Sequence, residues 1–239
     1  MFATTIVSSR CLAYLQSRST YLVKCFLVKQ SALLRVSIFA AVGMLLTAPL
    51  HGVAYLRTLD GEPGAVDWGP GAYRLAPSLW DWGERQSVYL TYGKVTSVLL
   101  VVSLLGLVAL HRRQSHPQAR FERWAFRVFG VGYTFMAIGA IAEYYTPFLE
   151  EAFLFIAIPG LLLTLLGGLA FGIASSRVNV LSQPLSWYLA FSFLPGVPLL
   201  VAVLGHIPVG FSLVMVALII IGLKLSGETP ESGGTPAAQ

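Results

Sequence analysis

The chain has 239 residues, of which 56% are hydrophobic and only 11% charged, and its mean hydropathy is +0.72. A soluble domain carries about 25% charged residues to keep its surface wetted, so a water-facing globule is excluded and lipid is the expected solvent for most of the surface. The net charge of +5 does not point to nucleic acid, because the basic residues flank long apolar runs instead of clustering into one patch.

Residues 1–31 contain Arg10, Arg18, Lys24 and Lys29 and no acid, and Leu15, Leu22 and Phe26 recur at helical spacing. Three readings stay open: an amphipathic helix lying on anionic lipid, an unstructured lead-in, or an organelle transit segment, which shares the basic, acid-poor, Ser-containing composition. Cys11 and Cys25 are too far apart for a CxxC redox or zinc motif and read as free thiols on a reducing cytoplasmic side.

Each helical residue advances about 1.5 Å, so crossing about 30 Å of hydrocarbon takes roughly 20 apolar residues. Residues 36–55, 91–110, 128–147 and 152–174 meet this requirement. The region 178–223 holds no Asp, Glu, Lys or Arg and is long enough for two further crossings, with a turn near Gly205 to Pro208. The expected fold is all-α: a polytopic bundle of six spans within residues 32–226, with an outer loop at 56–92 and an unstructured tail at 227–239. The weakest stretch is 184–205, where Pro184, Pro195 and Pro198 each remove a helical hydrogen bond. A dip into the bilayer and back there would leave five crossings and move the tail to the other side.

Lys and Arg gather in cytoplasmic connections. Arg10 to Arg35 precede the first span without any acid, and Arg112, Arg113, Arg120, Arg123 and Arg127 face only Glu122 in the third connection. The second connection is mixed, Glu150 and Glu151 mark the fourth, Arg177 the fifth, and Lys224 opens the tail. The alternation predicts both termini in the cytoplasm and a plasma-membrane location. In the large outer loop, Ser78 is a plausible cap for an interfacial helix leading into the second span, with Trp68, Trp80, Trp82, Tyr89 and Tyr92 suited to the headgroup zone. The same segment is alternatively a lid over an outward pocket.

Ionisable groups inside spans are expensive and therefore informative. None falls at mid-membrane; His51, Lys94, Glu143 and His206 all lie near span ends on the predicted outer side, with Tyr144 adjoining. These five residues define the expected site: an outward polar pocket in which Glu143 pairs with Lys94 and the two histidines stand at the rim. The plainer alternative has each group reaching separately to the interface. Two histidines without a third ligand do not make a metal or haem site, so neither metal nor cofactor is expected. His111 and His116 adjoin the basic connection and are expected in a solvated loop. Paired glutamates such as Glu150 and Glu151 open the motif of the CAAX-type membrane proteases, but here AFLFIAIPG follows in place of the expected arginine and only His206 lies downstream. No nucleophile elbow, phosphate loop or mid-membrane aspartate pair occurs, which lowers the weight of an enzyme.

Small residues supply the last signal. Gly132 and Gly139 share the Glu143 face of their helix, and Gly168 and Gly172 form a GxxxG pair; both patterns let helix backbones approach closely, within the bundle or between two copies. The expected function is a non-enzymatic binding or accessory membrane protein, its partners being membrane lipids and a second copy or another membrane helix. The alternatives are a small solute transporter or channel, favoured by the proline-broken spans, and a membrane enzyme acting on a lipidic substrate.

Overall fold

A computed structural model describes residues 32–61, 71, 73–74, 76–113, 120–147, 149–178 and 181–227. Among these residues there is no strand, and six helices are long and apolar enough to cross a membrane: α1 (Ala32–Leu56), α2 (Arg85–Arg112), α3 (Arg120–Tyr145), α4 (Glu150–Val178), α5 (Gln183–Leu204) and α6 (Ile207–Gly227). Large apolar side chains such as Phe39 and Phe155 are 78% and 76% exposed. Only acyl chains make that surface tolerable, so the protein is an all-α multi-pass membrane bundle. The expectations for residues 1–31, Cys11, Cys25, Trp68, His116 and the tail beyond Gly227 lie outside the described residues.

The helices alternate in direction, so all polar connections collect at two ends. At the basic end, Arg177 lies over the Phe121 ring and Gly222 of α6 meets Ile38 of α1. At the other end, His51, Tyr89, Tyr144 and His206 come together from four different parts of the chain. The main core fills the basic half and is built around Leu107, Phe129, Phe171, Phe193 and Met215. A smaller cluster of Val53, Trp80, Val88, Tyr89 and Tyr144 closes the opposite end.

Glycines set the tightest contact. A methyl group at Gly132, Gly139, Gly160 or Gly167 would fall 2.5, 2.5, 2.3 and 2.5 Å from backbone nitrogens of Thr164, Ala157, Met136 and Phe129, so α3 and α4 touch backbone to backbone. On the next face of α4, Gly172 abuts the Ala190 backbone and Gly168 receives the Phe193 ring, which brings in the first half of α5. These close approaches gain dispersion contacts that a lipid-solvated bundle cannot obtain from hydrophobic burial alone.

Two prolines shape what lies above this seam. Pro159 lacks an N–H, and its ring would collide with the carbonyl one turn earlier; α4 answers with a π-turn at Phe153–Ala157 just before it. In α5, Pro195 disfavours the helical conformation of the residue before it, and Leu194 adopts the extended values φ −142°, ψ 116° within the π-turn Ser192–Gly196. The helix nevertheless resumes at Val197–Leu204 and ends at Gly205, so 183–204 runs from the basic end to the opposite end and does not turn back. The helix beyond Leu194 packs against the start of α6 and leaves α4.

Two sequence expectations are corrected here. No interfacial helix starts at Ser78: Pro77–Leu79 forms one 3₁₀ turn, whose Pro77 carbonyl accepts the amides of Trp80 and Asp81, while the Leu79 carbonyl takes the Trp82 indole and the Tyr92 hydroxyl. The Pro77 bonds are those of a single helical turn, but the Leu79 carbonyl is taken by side chains in place of a backbone amide, and α2 begins only at Arg85. Nor does His111 belong to a solvated loop. It is part of α2, its Nδ1 lies 2.6 Å from Glu122 Oε1, and its ring stacks on Phe126 at 3.7 Å between centroids. Glu122 is fully buried there, held by a histidine one helix away instead of standing among the exposed arginines.

Candidate functional site

Between the main core and the end cluster lies a cavity of about 470 Å³, in the range typical of small-molecule pockets. Its floor is apolar, formed by Leu100, Met136, Phe153, Leu161, Val201 and Phe211. Both proline-induced irregularities contribute directly, since the α4 π-turn supplies Phe153 and Ala157, and the departure of α5 from α4 leaves Leu161 and Val201 lining the gap. Below Leu100 the space is sealed by Tyr133, which is fully buried and donates its hydroxyl proton to the Leu100 carbonyl, with Ser103 beside it.

The upper wall is polar and aromatic. His51 comes from the last turns of α1, Tyr89 from the first turns of α2, Glu143 and Tyr144 from the end of α3, and His206 from the turn between α5 and α6. Gly205 takes φ 76° to make that turn, the left-handed conformation that favours glycine. Two further glycines bring the pieces close. Gly52 leaves room for Val209 and the His206 turn against α1, where a methyl group would lie 2.7 Å from Val209. Gly93 receives the Tyr144 ring, whose nearest carbon would be 2.3 Å from such a methyl.

His51 is completely buried and stacks on Tyr89 at 5.0 Å, with the His206 ring edge-on at 4.6 Å. His206 in turn stacks on Tyr55 at 4.6 Å. Tyr89 donates to Glu143 Oε1 at 3.5 Å and shares a second hydrogen bond with the Tyr144 hydroxyl at 3.3 Å. Neither ring nitrogen of His51 has a hydrogen-bond partner among the described residues, nor do His206 Nε2 and Thr96 Oγ1, and all three residues line the cavity. Buried polar atoms left unpaired cost about 1–3 kcal/mol each, so these atoms set this wall apart from the apolar floor. Burial pushes the His206 imidazole down to about 3, because a charged ring there would lose its hydration, and the ring is therefore neutral at physiological pH.

Of the residues expected at the site, His51, Glu143, Tyr144 and His206 meet around this cavity, and Lys94 does not. No ion pair joins Glu143 to Lys94 among the described residues. Lys94 is exposed, and its ammonium lies 5.6 Å from the Tyr145 ring centroid on the outer side of the helix pair. Helix geometry explains the difference: Tyr89, Thr96 and Leu100 set the cavity face of α2, and Lys94, five positions after Tyr89, points about 140° away from it. Glu143 takes Tyr89 as its partner instead. Tyr89 was legible only as a headgroup-zone aromatic, and Tyr55, Thr96, Gly52 and Gly93 carried only the signal of being polar or small close in sequence to His51 or Lys94. No known protein family, curated protein or solved structure matches the chain.

Proposed function

We propose that the protein is a non-enzymatic binding or accessory membrane protein, and that its cavity holds the head group and first carbons of an amphiphile drawn from the bilayer. The observation that carries this reading is His51: a fully buried imidazole with both nitrogens unpartnered, in the wall of a cavity whose floor is apolar. A polar head would satisfy that wall, while an attached chain would cover Leu161, Val201 and Phe211 and leave through the gap where α5 departs from α4. Following the distribution of Lys and Arg, we place the basic end in the cytoplasm, with both termini there, and the cavity toward the outer leaflet of the plasma membrane.

The test is organic extraction and mass spectrometry of protein purified in mild detergent, comparing the native chain with Ala140→Trp. Ala140 lines the cavity one turn before Glu143 and Tyr144, so the indole would occupy the space of a ligand. A defined amphiphile should accompany the native chain in near-stoichiometric amount and be depleted from the variant, whose helical circular dichroism should match that of the native chain. Equal lipid content in both, or none of defined composition in either, rejects the reading.

A further inference from the structure

We infer that the cavity selects a head group that is a hydrogen-bond-donating cation, so that its ligand class is the alkylammonium amphiphile and not the alcohol, carboxylate or phosphate ester of the same chain. This narrows the binding function proposed above and rests on it. The acids that line the cavity are Glu143 in its wall and Asp60 and Glu150 at its exposed mouth. Among the described residues no Lys or Arg lines the cavity. The cations nearest in sequence to these walls are engaged elsewhere: Lys94 lies over Tyr145, Arg57 is bonded to Asp81 at 2.8 Å, and Arg85 reaches the Arg57 carbonyl. The two histidines add no compensating charge by contact, since they face aromatic rings and each other, and His206 is held neutral by burial.

The hydrogen-bond inventory points the same way. Tyr144 and Tyr89 direct their protons along a chain that ends on the Glu143 carboxylate, so the phenols offer lone pairs to the cavity more readily than protons. A neutral imidazole adds one acceptor nitrogen at His51 and another at His206, and both residues have an unpartnered nitrogen. Each neutral ring also keeps one N–H and Thr96 an unpartnered hydroxyl, but the Glu143 carboxylate, the phenol lone pairs and the ring acceptors together can take the three N–H groups of an ammonium. The rings of Tyr55 and Tyr144 lie 5.6 and 5.9 Å from that of Tyr89 in the same wall, an aromatic surround that tolerates a cation. A phosphate or carboxylate placed there would meet three carboxylates and no base, an arrangement that is repulsive and unpaired. An alcohol would use one acceptor and leave the charge unanswered.

The experiment measures stabilisation of the purified full chain in nonionic detergent by dodecylammonium, dodecanol and dodecanoate, each below its own micellar concentration, with Ala140→Trp as a control for partition into the detergent belt. Dodecylammonium should bind about ten- to a hundredfold more tightly than dodecanol, the margin of a charge-assisted over a neutral hydrogen bond. Dodecanoate should be weakest. Glu143→Gln should remove most of the preference for dodecylammonium over dodecanol, and Glu150→Gln at the exposed mouth should reduce it by a smaller factor, which serves if the Glu143 variant does not fold. If dodecanol or dodecanoate binds as well as dodecylammonium, and Ala140→Trp abolishes that binding, the head-group assignment is overturned and the amphiphile pocket stands. If no probe distinguishes the native chain from Ala140→Trp, both fall.

Discussion

Replacing Gly160 by alanine probes the packing on which the cavity depends. The added methyl carbon would lie 2.3 Å from the Met136 nitrogen, 2.8 Å from the Phe135 carbonyl carbon and 2.9 Å from the Gly132 carbonyl oxygen, all backbone atoms that no rotamer change can move. Optimal carbon contacts begin near 3.5 Å, so α3 and α4 must part by roughly 1 Å, enough to forfeit about a quarter to a half of each dispersion well along the seam. The seam extends from Phe129 opposite Gly167 to Gly139 opposite Ala157, about 15 Å of helix at 1.5 Å per residue. Overpacking of this kind destabilises by about 1–3 kcal/mol, and the long seam puts Gly160→Ala at the upper end despite a helix-propensity gain of about 1 kcal/mol. Gly130, also on α3, has nothing within 4 Å of its would-be methyl, so Gly130→Ala receives the propensity gain without the clash and should be neutral or stabilising by up to about 1 kcal/mol. The assay is thermal unfolding in mild detergent followed by near-ultraviolet circular dichroism, both variants beside the native chain. Were Gly160→Ala as stable as Gly130→Ala, the backbone seam between α3 and α4 would not exist as described.

Three further outcomes follow from the same contacts. His111→Ala leaves the fully buried Glu122 without its partner and should destabilise by about 3–5 kcal/mol, whereas Glu122→Gln, which keeps an acceptor for Nδ1, should lose less; equal losses in a thermal melt would mean that the pair is not charge-assisted. For His206 the folded state holds the imidazole at about 3 while the unfolded chain titrates near 6.5, so between those values the unfolded state binds the extra proton. Stability should then fall as pH drops through that window, at up to about 1.4 kcal/mol per pH unit, and His206→Phe should remove this part of the slope; an unchanged profile in the variant counts against the buried neutral ring. Gly205→Ala must place a side chain at φ 76° and should destabilise by about 1–2 kcal/mol, visible as a lowered melting temperature and an altered His51–His206 contact in histidine NMR shifts.

The membrane class and the number of crossings were legible because they rest on run length and composition, which are local. A stretch such as 152–174 announces a span wherever it packs, and the prolines of 184–205 bend that crossing without ending it. Helix limits were less legible. Arg85, Arg120 and Arg177 extend their helices beyond the apolar windows, since backbone hydrogen bonds continue into the headgroup zone where charged side chains are solvated. The Ser78 cap failed for a different reason: the Leu79 carbonyl is taken by the Trp82 indole and by the Tyr92 hydroxyl, and the latter is brought near only by the folded loop.

The site shows the same division. Hydropathy windows put His51, Glu143, Tyr144 and His206 near the ends of spans that terminate on one side, and alternating helix direction places those ends together. That Glu143 meets Tyr89 and not Lys94 depends on the rotation of α2 about its own axis. Rotation is set by which face packs, and α2 reads as apolar nearly all round, so its sequence leaves the angle open. Glu122 and His111 were hidden in a basic connection for a similar reason, because burial is decided by the helix that comes to lie beside them. What the amino-acid order determined alone is the count of crossings and which polar groups share an end. What the tertiary structure decided is which of those groups face each other and how much space is left between them, since both are properties of interhelical distance and rotation, which glycine contacts and two proline distortions set only once the helices are together.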